Sequence, residues 1–203
     1  ANVIFIDIAH GYSQSVIDTA KAIKKYSSSI KVVVGNTTNI DMLIECQDVA
    51  DGCKVGLSQG FSCKTKDMAA CAEQQFSAVY KFKDLSKKYG IPIISDGGVR
   101  RPADFVKSIA AGANSVMAGK IFAACPESAS EVVEIDGCDK KIYAGMASRY
   151  VQNRWRGGLK NGTCTEGTVK YLDIGESAEK LLERYSGALR SGISYAGGVD
   201  IPS

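Results

Sequence analysis

Short strand-like runs alternate five times with amphipathic segments in the first part of this 203-residue chain. The expected strands are residues 3–7, 31–35, 53–56, 92–95 and 114–118. Segments with one apolar helical face follow these strands. In the segment after the third strand, this face consists of Phe76, Val79, Phe82 and Leu85. Regular alternation of strand and helix is typical of a parallel sheet with helical crossovers.

The alternation stops after Ala123, and this long final section favours a barrel over an open sheet. A complete (β/α)8 barrel typically takes about 250 residues. We therefore predict an α/β fold, a TIM barrel for which this chain supplies the five C-terminal βα units and a flap. Roughly three N-terminal units are then absent from the chain. The alternative is a flavodoxin-like open sheet of five strands.

The domain prediction is one partial barrel domain over residues 1–203, with a hairpin and a mobile flap inserted at 131–175. Asp136-Gly137 between apolar runs is a typical hairpin turn. Residues 149–175 are polar and glycine-rich, without periodicity, and we expect them to form the flap. A helical face returns at Ala178.

Composition excludes several classes of protein. The net charge of +3 comes from 25 basic and 22 acidic residues without a basic block, so we expect no nucleic-acid partner. No apolar run approaches the ~20 residues of a membrane span. Seven cysteines without a C-x-x-C pair, and the single histidine His10, argue against a disulfide framework and a zinc site. We expect a cytoplasmic protein, and the absence of an initiator Met predicts a longer one.

Polar groups and glycines follow each predicted strand. They are Asp7, Asn36, the 56–65 loop, Asp96-Gly97-Gly98 and Gly119-Lys120. In a parallel barrel the carboxyl ends of the strands form one rim, where reactive groups collect. The sequence therefore predicts an active site at this rim.

The 56–65 loop carries the strongest chemical signal. Cys63 lies among glycines, which allow a loop to approach a ligand closely, and Thr65 follows two residues later. An exposed cysteine in such a loop can act as a nucleophile, and a nearby hydroxyl can relay protons. The alternative is a buried structural cysteine in a turn.

This loop resembles the G-x-G-P-G-S-x-C-x-T loop of the IMP dehydrogenase/GMP reductase family. Further ordered matches cover nearly the whole chain. They are Asp7-Ile8-Ala9-His10-Gly11, Gly35-Asn36, Ile94-Ser95-Asp96-Gly97-Gly98, Val116-Met117-Ala118-Gly119, Gly145-Met146-Ala147-Ser148, Glu166-Gly167 and Ser194-Tyr195-Ala196-Gly197.

The resemblance implies a role for each matching residue. Cys63 would attack C2 of a purine nucleotide monophosphate, GMP or IMP, while Thr65 and Glu166 would handle protons. Substrate contacts would come from Asp96, Gly97, Gly98, Gly119, Lys120, Gly145, Met146, Ala147 and Gly167. The dinucleotide would lie on Asp7, Ile8, Ala9, Leu57, Ser58, Ser191 and Ser194. Carbonyls of Ser58, Gly60 and Cys63 would hold potassium, and the family pattern implies a homotetramer.

The flap favours a reductase over a dehydrogenase. Only 17 residues separate Ser148 from Glu166, as in the short reductase flap. A dehydrogenase uses an Arg-Tyr pair to activate water, but Trp155 after Arg154 has no phenol. The expected activity is therefore the NADPH-dependent reduction of GMP to IMP. The alternative is the oxidation of IMP to XMP with NAD.

Three departures from the family pattern keep a further alternative open, a purine-nucleotide-binding homologue without activity. Gln59 and Phe61 occupy the positions at which the family loop has Pro and Ser, and a Phe cannot donate a hydrogen bond to phosphate. We expect Lys120 to compensate through its charge. The glycines expected after Thr65 are missing, and Thr163 replaces a reductase arginine.

Overall fold

The computed structural model describes residues 1–202, which divide into two compact units. The sheet unit comprises Ala1–Gln59, Glu73–Gly97 and Lys107–Met117. The flap unit comprises Gly60–Ala72, Gly98–Val106 and the described residues from Ala118 onward. The single partial barrel domain with an insertion at 131–175 stays a prediction.

The sheet unit contains a five-stranded parallel sheet whose strands follow the order of the sequence. They are β1 (Val3–Asp7), β2 (Lys31–Thr37), β3 (Gly52–Val55), β4 (Ile93–Asp96) and β5 (Ser115–Met117). A flavodoxin-like sheet has the order 2-1-3-4-5, so this alternative is excluded. The predicted α/β class with a parallel sheet is confirmed, while barrel closure and the number of absent units stay predictions.

Five helices occur between these strands along the sequence. They are α1 (Gln14–Tyr26), α2 (Asp41–Glu45), α3 (Thr65–Ala69), α4 (Gln75–Tyr89) and α5 (Pro102–Ala110). α5 begins on Pro102, a position that suits proline because the first helical turn needs no N–H from that residue. α3 begins at Thr65, the last residue of the 56–65 loop.

The core of the sheet unit lies between the strands and the apolar faces of its helices. Val32 and Val34 on β2 are fully buried, as are Val79 and Phe82 on α4. Burying each such side chain contributes about 1.5–3 kcal/mol. Phe76, expected on the same stripe of α4, is about half exposed instead.

The flap unit contains an antiparallel sheet of three strands in the order β6-β7-β8. They are β6 (Val132–Ile135), β7 (Cys138–Ala144) and β8 (Val169–Asp173), with helices α6 (Lys120–Ala123), α7 (Arg149–Trp155) and α8 (Ala178–Tyr195). Asp136 and Gly137 join β6 to β7 with φ values of 51° and 74°. Two positive φ values are what a two-residue hairpin turn requires, so the predicted hairpin is confirmed.

Regular structure occurs near both ends of residues 149–175, the segment expected to form the flap, as α7 and β8. The Ser148 hydroxyl accepts a hydrogen bond from the Val151 N–H at 3.3 Å and caps α7. β8 completes its sheet by pairing with β7, where Leu172 lies opposite Lys141. The mobility of this segment stays a prediction.

None of the helices in residues 1–202 is long and apolar enough to cross a membrane. The same residues contain no group of three or more His, Cys, Asp or Glu side chains that could hold a metal ion.

Candidate active site

A tight turn presents Cys63 in the flap unit. The Cys63 N–H donates to the Gly60 carbonyl at 3.0 Å, which closes a four-residue turn with Phe61 and Ser62 at its centre. Ser62 is buried, whereas Cys63 is only partly buried. The geometry of a turn therefore keeps the nucleophile candidate accessible.

Cys63 heads a chain of three side chains. Its thiol donates to the Thr65 hydroxyl oxygen at 3.2 Å. The Thr65 hydroxyl in turn donates to Oε2 of Glu166 at 2.6 Å, across 101 residues of sequence. A hydroxyl both donates and accepts, so Thr65 can pass a proton between the sulfur and the carboxylate. The structure thus brings together the three residues predicted to be catalytic.

Backbone pairing positions Glu166 in this chain. Cys63 and Gly167 form an antiparallel bridge. The Lys64 N–H donates to the Glu166 carbonyl at 2.7 Å, and the Thr168 N–H donates to the Ser62 carbonyl at 2.8 Å. Main-chain hydrogen bonds, rather than side-chain packing, therefore hold the carboxylate next to Thr65.

Two glycines allow the segments around this pairing to approach closely. A Cβ on Gly167 would lie 2.8 Å from the Ser148 nitrogen, and a Cβ on Gly145 would lie 3.0 Å from the Ser62 hydroxyl. Both positions were predicted to contact substrate. The structure gives them a packing role beside the cysteine turn, and their neighbours Met146 and Ala147 are exposed.

The predicted phosphate residues Gly119 and Lys120 lie beside two aromatic rings. The Lys120 ammonium is 4.0 Å from the centroid of the Phe61 ring, within the range of a cation–π interaction. The Phe61 and Tyr143 rings are 6.1 Å apart and tilted by 48°. The Tyr143 hydroxyl lies against Gly119, since a Cβ there would approach it to 2.5 Å.

The sheet unit has its own polar cluster, at the carboxyl ends of its strands. The Lys54 ammonium, with a side chain only 6% exposed, lies 2.7 Å from Asp96 and 3.0 Å from Asp7. Asn36 donates a further hydrogen bond to Asp96 at 2.9 Å. Burial alone would lower the pKa of Lys54, but the hydrogen bonds and charges of Asp96 and Asp7 raise it above its usual value. Lys54 is therefore a charged clamp between two carboxylates.

Sequence reasoning missed Lys54, and it gave Asn36 no role beyond its place at a strand end. A single lysine in a four-residue strand of otherwise small or apolar residues is a weak signal, because its two partners are distant in sequence. The one available signal was the charge of Lys54 within a strand, which predicts an anionic partner because an unpaired lysine is almost never fully buried.

The remaining predicted ligand residues are distributed over both units. In the sheet unit, Asp7, Ile8 and Ala9 are exposed at the end of β1, and Leu57 and Ser58 are partly buried. In the flap unit, Ser191 and Ser194 are exposed on α8. Gly97 and Gly98 have φ values of 91° and 80°, which explains the glycine pair after Asp96.

Other thiols differ from Cys63 in their surroundings. Burial raises the pKa of Cys53 to about 12 and that of Cys46 to about 11. A thiol with such a pKa is almost entirely protonated at neutral pH and is a poor nucleophile. Cys63 is the cysteine with a proton relay, which distinguishes it from these structural thiols.

Comparison with known proteins identifies the family. The model of the IMP dehydrogenase / GMP reductase domain matches residues 1–203. This chain belongs to the IMP dehydrogenase/GMP reductase family. The resemblance of its motifs is thereby confirmed.

The chain resembles family members of both kinds, GMP reductases and IMP dehydrogenases. GMP reductase of Staphylococcus epidermidis is 40% identical over 98% of the chain and 59% of its own length. Inosine-5'-monophosphate dehydrogenase of Halobacterium salinarum is 34% identical over 100% of the chain and 42% of its own length. The chain thus spans about half the length of these relatives, whose names do not decide between the two activities.

A solved structure of the family has the same fold. It is a cysteine-to-alanine variant of GMP reductase from Trypanosoma brucei in complex with guanosine 5'-monophosphate. The TM-score is 0.92 at 31% identity, over 100% of this chain and 43% of that one. The parallel α/β fold of this chain is therefore that of the matching part of a GMP reductase barrel.

Members of this family use nicotinamide cofactors, and the sheet unit suits such a ligand. Oδ1 of Asn36 is buried and has no hydrogen-bond partner among the described residues. An unsatisfied buried acceptor costs about 1–3 kcal/mol. The carboxylates of Asp7 and Asp96 are accessible and can accept hydrogen bonds from ribose hydroxyls, so the acceptor set fits a nucleotide or dinucleotide.

The residues predicted to bind potassium are Ser58 in the sheet unit and Gly60 and Cys63 in the flap unit. Gly60 uses one carbonyl lone pair for the Cys63 N–H and keeps a second. Backbone carbonyls are the usual ligands of potassium in proteins, and the potassium site stays a prediction.

Proposed function

We propose that the protein is a GMP reductase, which converts GMP to IMP and ammonia with NADPH. The Cys63 sulfur attacks C2 of the purine, the exocyclic C2–N bond breaks, and ammonia leaves a covalent thioimidate. When bound, NADPH supplies the hydride that reduces C2. The C2–S bond then breaks and releases Cys63 and IMP.

The hydrogen-bonded chain from Cys63 through Thr65 to Glu166 carries this proposal. As the thiol becomes a nucleophile, its proton passes through Thr65 to Glu166. The departing amine needs a proton to become a good leaving group, and Glu166 returns one by the same route. One relay thus serves both activation of the nucleophile and departure of ammonia.

The surroundings of Arg154 favour the reductase over the dehydrogenase. Arg154 donates to the Tyr150 hydroxyl at 2.8 Å, and this Arg-Tyr pair is the observation in favour of water activation. However, Arg154 also forms an ion pair with Glu131 at 2.9 Å, and Tyr150 donates to the same carboxylate at 3.3 Å. The charge of Glu131 raises the pKa of Arg154 and so opposes the loss of a proton that a base would need, and we assign this pair a structural role.

The remaining ligand assignments belong to the same proposal. In the sheet unit we assign the ribose hydroxyls to Asp96 and Asn36, and in the flap unit we assign the phosphate to Gly119 and Lys120. The potassium site, the homotetramer and the cytoplasmic location are proposed on the family pattern.

The deciding experiment is an assay of the intact protein with GMP plus NADPH and, separately, with IMP plus NAD. We expect NADPH oxidation with formation of equal amounts of IMP and ammonia. Formation of XMP from IMP over many turnovers would show a dehydrogenase instead. Nucleotide binding without either reaction would support a homologue without activity.

A further inference from the structure

The ammonium of Lys120 lies in the flap unit beside an aromatic ring. Lys120 starts α6 and is only partly buried, with its ammonium on the face of the Phe61 ring. Within residues 1–202 no carboxylate forms an ion pair with it, although nine ion pairs are found elsewhere. The face of a ring attracts an ammonium through its quadrupole but does not neutralise its charge. Lys120 therefore keeps its charge and its N–H donors available for an anion.

A hydroxyl lies near the same dipeptide. The Tyr143 hydroxyl is against Gly119, where the absence of a side chain allows this approach. The Tyr143 ring also neighbours Phe61. An ammonium and a phenol beside one dipeptide form a group of donors that suits a phosphate dianion.

Phe61 links this group to the nucleophile. It is a central residue of the turn closed by the hydrogen bond from the Cys63 N–H to the Gly60 carbonyl. A four-residue turn fixes the φ and ψ of its two central residues, here Phe61 and Ser62, so a backbone movement at Phe61 alters the turn that presents Cys63.

We propose that the contact between Phe61 and Lys120 couples binding of the substrate phosphate to the placement of Cys63. Phe61 is then a positioning residue, and phosphate contributes to kcat as well as to KM. The identity of the anion as a substrate phosphate rests on the proposed function, whereas the coupling itself does not require turnover.

The test measures alkylation of Cys63 in the intact protein by iodoacetamide, with and without inorganic phosphate, using peptide mass spectrometry. We expect phosphate to change the rate at Cys63 by about two- to fivefold, equivalent to about 0.5–1 kcal/mol. Cys138, exposed on β7, is the internal reference and should not respond. Phe61→Leu and Lys120→Met should abolish the response at Cys63. Phe61→Tyr and Lys120→Arg, which keep the ring and the charge, should retain it.

A matched control is Lys160→Met, which removes an exposed lysine of the flap unit and should respond like the wild type. Wild-type protein whose Cys63 ignores phosphate, or Phe61→Leu protein that responds normally, would overturn the coupling. An active reductase with either result would refute the coupling alone. A protein with the expected phosphate response but no GMP reduction would refute the proposed function and leave the coupling intact.

Discussion

Replacing Glu166 by Gln tests the relay without removing the flap contacts around it. The hydrogen bonds from the Lys64 N–H to the Glu166 carbonyl and from the Thr168 N–H to the Ser62 carbonyl join main-chain atoms, so the substitution leaves them in place. Gln can still accept from Thr65, but it cannot take up or return a proton. The substitution therefore removes proton transfer and preserves geometry.

The magnitude follows from the proton transfer that is lost across the 2.6 Å contact of Thr65 with Glu166. General acid catalysis contributes about 10²–10⁴-fold, or about 3–5 kcal/mol of activation free energy. We expect GMP reduction by Glu166→Gln to fall at least about 100-fold.

Pre-steady-state absorbance of the reduced nicotinamide separates the steps. Hydride transfer between IMP and the oxidised dinucleotide needs no protonation of an amine, so Glu166→Gln should largely retain it. Glu183→Gln, at an exposed position of α8, is the matched control and should behave like the wild type. Normal GMP reduction by Glu166→Gln would refute the assignment, and equal loss of both reactions would show a structural effect instead of proton transfer.

Three further predictions concern the nucleophile, the flap and stability. Cys63→Ala should abolish turnover while calorimetry shows nucleotide affinity within about tenfold, or 1.4 kcal/mol, and residual turnover would exclude Cys63 as nucleophile. Gly167→Ala places a Cβ 2.8 Å from the Ser148 nitrogen. The rate of GMP reduction should therefore fall strongly and the melting temperature only slightly. Unchanged kinetics would contradict this packing. Burial alone would raise the pKa of Asp51, but hydrogen bonds, first from Lys24, hold it at about 2. This stability is present above pH ~4 and is lost as the pH falls towards 2, so Asp51→Asn should lower the free energy of unfolding at neutral pH by about 2 kcal/mol. Urea unfolding at several pH values would reveal an unchanged acid dependence if this reasoning were wrong.

The central strands β2 and β3 could be predicted from the sequence because they are buried on both faces. β2 has a run of four buried residues, and such apolar runs are visible without any structure. α7 and β8 could not be predicted in this way. Val151 is the one buried residue of α7 and Leu172 that of β8, so neither segment shows a periodic apolar face.

The site was predictable where chemistry and motif coincide. Cys63 and Thr65 are candidates from their residue types and spacing, Glu166 only from the family resemblance, and the three side chains are in contact in the structure. The clamp at Lys54 was not predictable, because it depends on which strands are neighbours. The contact of Lys120 with the Phe61 ring could not be predicted either, because a Phe in place of the family's Ser indicates only the loss of a hydrogen-bond donor.

The mounting of Glu166 by main-chain hydrogen bonds has a consequence for protein engineering. Because backbone groups are common to all residues, residues 149–165 can differ in sequence and length provided that 166–168 retain their pairing with residues 62–64. Residues 149–165 can then be exchanged as a unit while the Glu166 carboxyl group keeps its position beside Thr65. Transplanting the corresponding segment from a relative with the other activity would combine a new set of flap side chains with an unchanged nucleophile.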